Sequence, residues 1–110
     1  MKIYSDNVRI VIKDYDNLIH IHVLMNGIKI GYLYLTRVTK ERIKLADILV
    51  YDHYQGLGFG NKLIKEAIKL AQERGVKEIY GTMLGDTDML TYFYRKHNFE
   101  IHDSELSLSL

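Results

Sequence analysis

At 110 residues the chain has room for one small domain with a single core. Hydrophobic residues at 47% and charged residues at 26% are the balance of a folded chain, not a disordered one. Fifteen basic against fourteen acidic residues leave a net charge of +1, without the basic excess of a general nucleic-acid binder, and the absence of cysteine excludes disulfide scaffolds, thiolate metal sites and cysteine nucleophiles.

In chain order, Val8 to Lys13 is apolar and β-branched, and Leu18 to Met25 sets Ile19, Ile21, Val23 and Met25 on one strand face. Asn26-Gly27 then marks a two-residue hairpin, because both positions of that turn require positive φ. Ile28 to Leu35 alternates again. The polar stretch Thr36 to Arg42 leads to a fourth strand, Ile43 to Val50. Connections this short predict an antiparallel meander.

The period then changes. Leu63, Ile64, Ala67, Ile68, Leu70 and Ala71 form one helical stripe opposite charged positions, and Gly75 closes the helix. Lys77 to Leu84 reads as a fifth strand. A second helix runs from an N-cap at Asp86 or Thr87 to about His97, and Asn98 takes a left-handed position. Glu100 to His102 and Glu105 to Leu110 close the chain as short strands. The expectation is a single domain over residues 1–110 of the α+β (mixed α/β) class. Its fourth and fifth strands should be parallel, joined by a right-handed crossover. No apolar run reaches the ~20 residues of a membrane helix and no signal-peptide pattern opens the chain, so a cytoplasmic protein with no membrane partner is expected.

Between the fourth strand and the first helix lies Gln55-Gly56-Leu57-Gly58-Phe59-Gly60-Asn61. A helix N-terminus leaves backbone N–H groups unpaired, and glycines let an anion approach them, here with Lys62 nearby. The spacing is neither that of a P-loop nor the G-x-G-x-x-G of a dinucleotide fold. On the glycines alone, a tight turn with no ligand explains the segment equally well.

Gln55-x-x-Gly58-x-Gly60, following Ile48-Leu49-Val50, resembles the acetyl-CoA signature of the GNAT acetyltransferase superfamily. Phe93-Tyr94-Arg95-Lys96-His97-Asn98-Phe99 resembles its second signature, with Asn98 in place of the usual glycine. The resemblance spans about residues 18 to 102. It implies a GNAT-like mixed sheet, acetyl-CoA as cosubstrate without a metal, and acetyl transfer to an amine by direct attack in a ternary complex. It also implies that Leu49 and Val50 hold the pantetheine and thioester through their backbone, and that Gln55, Gly56, Gly58, Gly60 and Asn61 hold the pyrophosphate. Tyr94 matches the family tyrosine that donates a proton to the departing thiolate. A phenol, at an ordinary pKa of about 10 against about 8.5 for a thiol, is still protonated when that thiolate forms. A core aromatic with a satisfied hydroxyl is the competing reading. Tyr92 is the weaker candidate.

Asp47 interrupts an apolar run. It either orients the acceptor amine or relays its proton through water, or else pairs with a neighbouring basic group. Lys44 and Thr82 stand near the places where other family members carry a glutamate base. His20 and His22 share a strand face, better read as solvated than as a metal site, and nothing in the sequence positions His53 or His97. Asp47, Asp52, Asp86 and Asp88 favour a cationic amine.

Family members insert two helices between the first two strands, where this chain has only Asp14 to Asn17. The acceptor side should be an open groove, which favours a protein or peptide amine over a free metabolite. Alternatively a homodimer covers it, with Leu106, Leu108 and Leu110 as an apolar edge. A catalytically silent coenzyme A-binding module and a nucleotide-binding interaction domain are the readings from other classes.

Overall fold

The computed structural model describes residues 7–85 and 87–110. The elements are β1 (Val8–Tyr15), β2 (Leu18–Met25), β3 (Ile28–Arg37), β4 (Arg42–Val50), α1 (Phe59–Glu73), β5 (Glu78–Thr82), α2 (Thr87–Arg95), β6 (Glu100–His102) and β7 (Glu105–Ser109). Seven strands form one mixed sheet in the order β1-β2-β3-β4-β5-β7-β6. The first four are an antiparallel meander, and β4 and β5 are parallel, as expected. Among the described residues, no helix is long and apolar enough to cross a membrane.

The turns follow the local chemistry. Asn26 (φ 53°) and Gly27 (φ 83°) make the β2–β3 hairpin, and Asn98 ends the α2 segment at φ 70°. β1 runs two residues further than expected, so Asp16-Asn17 alone joins it to β2. β5 is shorter at both ends than Lys77 to Leu84, and α2 stops at Arg95. Thr87 is already inside α2. Asp86, the other candidate cap, lies outside the described residues.

The core forms on one face of the sheet. Ile19, Ile21, Val23, Leu33, Leu35, Ile43 and Ile79 are buried there with Leu63, Ile64 and Ala67 of α1. Tyr94 and Phe99 join the same core. The opposite face of the C-terminal strands is polar. Arg42 pairs with Glu78, which also accepts a hydrogen bond from Ser107 at 2.7 Å, and Thr82 donates to Glu105. The buried Tyr94 therefore places α2 on the α1 side. Among the described residues, both helices lie on one side of the sheet, in a slab 18 Å thick in its shortest dimension.

β7 is not an edge strand. It pairs with β5 on one side and β6 on the other, and Leu106 and Leu108 are buried in the core. The expected apolar edge at Leu106, Leu108 and Leu110 does not exist, because Leu106 and Leu108 are spent on the core beneath α2.

Two irregularities in β4 position the site. Tyr34 pairs with Asp47 and Leu35 with Leu45, so Ala46 is an extra residue, a β-bulge. The bulge keeps Leu45 and Ile48 on the core face, although three residues apart, and turns Asp47 to the open face. The parallel ladder with β5 covers only Arg42 to Lys44, opposite Glu78 to Tyr80. Beyond it the two strands separate.

Candidate active site

The gap between β4 and β5 opens into a cleft of about 450 Å³. One wall is the end of β4, Ile48 to Val50. The floor is Gln55, Gly56, Gly58, Gly60 and Asn61, and the other wall is Met89, Leu90 and Phe93 of α2 with Lys96 just beyond its end. All seven residues expected to bind the cofactor thus line one cavity. The α2 wall was not foreseen, although Met89, Phe93 and Lys96 follow helical spacing; their pattern reads equally as ordinary core.

Backbone alternation divides the labour on β4. The Tyr51 N–H donates to Ile30 O on β3 at 2.9 Å. In an antiparallel pair, one residue's N–H and C=O point the same way, and those of its neighbours point the other way. Leu49 therefore addresses β3, while the backbone groups of Ile48 and Val50 face the gap. The Gln55 side chain turns back to donate to Val50 O at 2.8 Å. It ties the glycine turn to the strand end rather than reaching into the cleft.

The glycine turn presents an uncapped helix. Gly58 is the N-cap of α1 at φ 91°, with no side-chain hydrogen bond to the first turn and no acidic residue in it. Its unpaired N–H groups and the helix dipole favour an anion. A Cβ on Gly56 or Gly58 would meet nothing within 4 Å, so the space before them is open. Gly60 differs: a Cβ there would stand 3.4 Å from the Phe93 ring, so its smallness lets α2 close on α1. Asn61 accepts a hydrogen bond from His97 Nε2 at 2.9 Å, clamping the two helices at the mouth of the cleft. That gives His97 a position the sequence did not supply. Burial, then Lys96 and Lys65, lower its pKa.

A smaller cavity, about 80 Å³, continues from the cleft across Ile48 and Leu90, which line both. Asp47, Thr82 and Tyr94 line it. Tyr94 is 3% exposed, wedged against Phe93 and Phe99. Its hydroxyl has no hydrogen-bond partner among the described residues. Burial first, and then the charge of Asp47, push its pKa up to about 12. The competing reading of Tyr94 as a core ring with a satisfied hydroxyl is half met: the ring is core, the hydroxyl is unpaired.

Asp47 is exposed, not buried, because the bulge turns it outward. It is not paired with a basic group either. The Tyr32 hydroxyl donates to its Oδ2 at 3.0 Å. Of the other acids expected at the cleft, Asp52 accepts a long 3.5 Å hydrogen bond from Gln55 and lines neither cavity, nor does Asp88; Asp86 lies outside the described residues. His20 and His22 are half-buried in a row of rings instead of being solvated, and no group of three metal-ligating side chains occurs among the described residues. His53 is exposed in the short turn after β4.

Residues 17–101 match the family model of the acetyltransferase (GNAT) domain. The uncharacterized N-acetyltransferase CgeE of Bacillus subtilis (strain 168) is 29% identical over 73 residues, which are 66% of this chain and 27% of that protein. The chain thus spans about a quarter of the length of the curated relative it matches. Among solved structures, a GNAT family acetyltransferase from Elizabethkingia anophelis with acetyl-CoA bound superposes with a TM-score of 0.84, covering 94% of this chain and 99% of that one at 16% identity. The PaiA N-acetyltransferase from Thermoplasma acidophilum, in complex with coenzyme A, gives 0.76 over 86% and 62% at 18% identity. These likenesses are of fold.

Proposed function

This chain belongs to the GNAT acetyltransferase family, and we propose that it transfers acetyl from acetyl-CoA to an amine by direct attack within a ternary complex. One observation carries this reading. The open glycine cradle and the pocket holding Asp47 and Tyr94 meet at Ile48 and Leu90, so an anchored cofactor and an acceptor reach one another through the β4–β5 gap. Acetyl-CoA supplies the thioester, whose acyl carbon accepts the amine nitrogen and whose sulfur leaves.

The chain's own residues have four tasks. The α1 N-terminus with Gly56 and Gly58 binds the pyrophosphate. The Ile48 and Val50 backbone groups, left without β5 as partner, orient the pantetheine arm and the carbonyl oxygen. Tyr94 faces the leaving sulfur. Full proton transfer from a phenol at about 12 to a thiolate of ordinary pKa about 8.5 would run uphill by about 5 kcal/mol. Tyr94 therefore acts as a neutral O–H that hydrogen-bonds the developing thiolate, and the proton that ends on sulfur comes from the attacking nitrogen. Asp47, at the other opening, orients the amine.

The acceptor is an amine carried on a protein or peptide. The exposed Asp47, on a sheet face that no helix of the described residues covers, gives a free metabolite little enclosure, whereas a macromolecule brings its own surface.

Incubation with acetyl-CoA and a panel of small amines and lysine peptides, followed by thiol release and mass spectrometry of the products, tests the reaction. Tyr94→Phe should lower kcat about 10- to 100-fold, the worth of a hydrogen bond to a charged group, with the acetyl-CoA affinity unchanged. A Tyr94→Phe enzyme within twofold of wild type removes the hydroxyl from the reaction.

A further inference from the structure

The face of the sheet away from the helices carries a row of rings that ends at the reaction pocket. Tyr15 stands edge-on to His20 at 5.3 Å. His20 stacks on Tyr34 at 4.1 Å, and Tyr34 on Tyr32 at 4.3 Å with only 16° between the planes. The Lys29 ammonium lies 5.3 Å from the centre of the Tyr32 ring. From this row the Tyr32 hydroxyl donates to Asp47 Oδ2.

We infer that Tyr32 is a positioning residue for the acceptor amine: held upright by the ring stack, its hydroxyl fixes one oxygen of Asp47 and leaves the other to the amine. The inference rests on the reading of Asp47 given above. An exposed aspartate on a strand samples several rotamers, so without a partner it would meet an incoming amine in many orientations. The bond from Tyr32 takes Oδ2. Asp47 lines the pocket it shares with Tyr94 and has no other hydrogen bond among the described residues, so Oδ1 carries none. The donor is itself restrained, since rotating Tyr32 would break its contact with Tyr34.

The bulge at Ala46 is what allows the bond. It brings Asp47 onto the ring-bearing face opposite Tyr34, one cross-strand diagonal from Tyr32, which pairs with Leu49. The phenol also remains a donor: its own burial, and then the hydrogen bond and charge of Asp47, raise its pKa. A hydrogen bond between two such accessible groups adds little to stability. Its consequence is orientation beside the reacting atoms.

The test is a double-mutant cycle on kcat and on KM for both substrates, with the most active amine of the panel. Tyr32→Phe keeps the ring and the stack and removes only the bond. It should lower kcat/KM for the amine about ten-fold, leaving KM for acetyl-CoA and the thermal midpoint unchanged. Asp47→Asn should lower it further, and Tyr32→Phe should have no additional effect in that background. An equal loss from Tyr32→Phe with Asp47 present or replaced would overturn the inference, as would an unimpaired Tyr32→Phe beside an impaired Asp47→Asn. If Asp47→Asn is itself as active as wild type, or the wild-type chain acetylates no amine, the reading of Asp47 falls and this inference with it.

Discussion

Gly58 and Gly60 occupy one motif for different reasons. Gly58 has φ 91° and open space before it. Any side chain with a Cβ is strained there by about 1–2 kcal/mol, whatever the ligand does. Gly58→Val therefore mixes lost stability with lost binding. Asn tolerates the left-handed region and separates the two effects. Gly58→Asn should melt within a few degrees of wild type while its acetyl-CoA affinity, measured by calorimetry, falls more than ten-fold, because the amide projects into the phosphate's approach. Unchanged affinity would mean that the pyrophosphate does not lie on this turn. Gly60, with Phe93 close by, is small for the sake of helix packing.

At the scale of elements, the cleft is shaped by β4. A regular β4 would pair with β5 along its length, leaving no unpaired backbone groups and no gap. Ala46 breaks that regularity, and Gly81 on β5 lies close against the break, where a Cβ would come within 2.9 Å of Leu45 O. Deleting Ala46 removes the bulge without changing which face any neighbouring residue uses, since Leu45 and Asp47 would then alternate as in an ordinary strand. The deletion protein should fold cooperatively, and its acetyl-CoA affinity should drop at least ten-fold as the gap closes. Retained affinity in the folded deletion protein would show that the bulge is not what opens the cleft. The other element that matters, α2, meets the start of α1 through Phe93 against Gly60, and the turn after it does so through the hydrogen bond of His97 to Asn61.

At the scale of the whole molecule, one helical layer covers one face of the sheet, and among the described residues no helix covers the other. The helical layer is joined to itself partly by His97. Burial, and then Lys96 and Lys65, disfavour its cation in the folded state, so its folded pKa lies below the ordinary 6.5. His22 is shifted the same way, by burial and then by Lys29, Lys13 and His20. Below about pH 6.5 the unfolded chain binds more protons than the folded one, so stability falls as pH drops through that window and is fully present above it. The thermal midpoint should fall between pH 7.5 and pH 5.5. His97→Gln, which keeps an amide donor for Asn61, should show a shallower fall. An identical pH dependence in His97→Gln would mean that His97 does not titrate differently on folding.

The sequence determined most of the architecture by itself. Period-2 and period-3.6 patterns, the Asn26-Gly27 turn and the left-handed Asn98 are local effects, readable because propensity and hydrophobic patterning act over a few residues. Gln55 and Gly58 ahead of a helix likewise announced a tight turn into an open helix N-terminus, since the chemistry of a helix N-terminus needs only neighbouring residues. What the tertiary structure decided was pairing. Whether Leu106 and Leu108 form an edge or a core depends on where β6 lies, and no local pattern contains that. Asp47 looked buried because a regular strand alternates; an inserted residue changed its face, and a bulge is defined only against a partner strand. Tyr32 and Tyr94, 62 residues apart in sequence, are brought to the two sides of one carboxylate by sheet register and helix packing, interactions whose partners are distant along the chain.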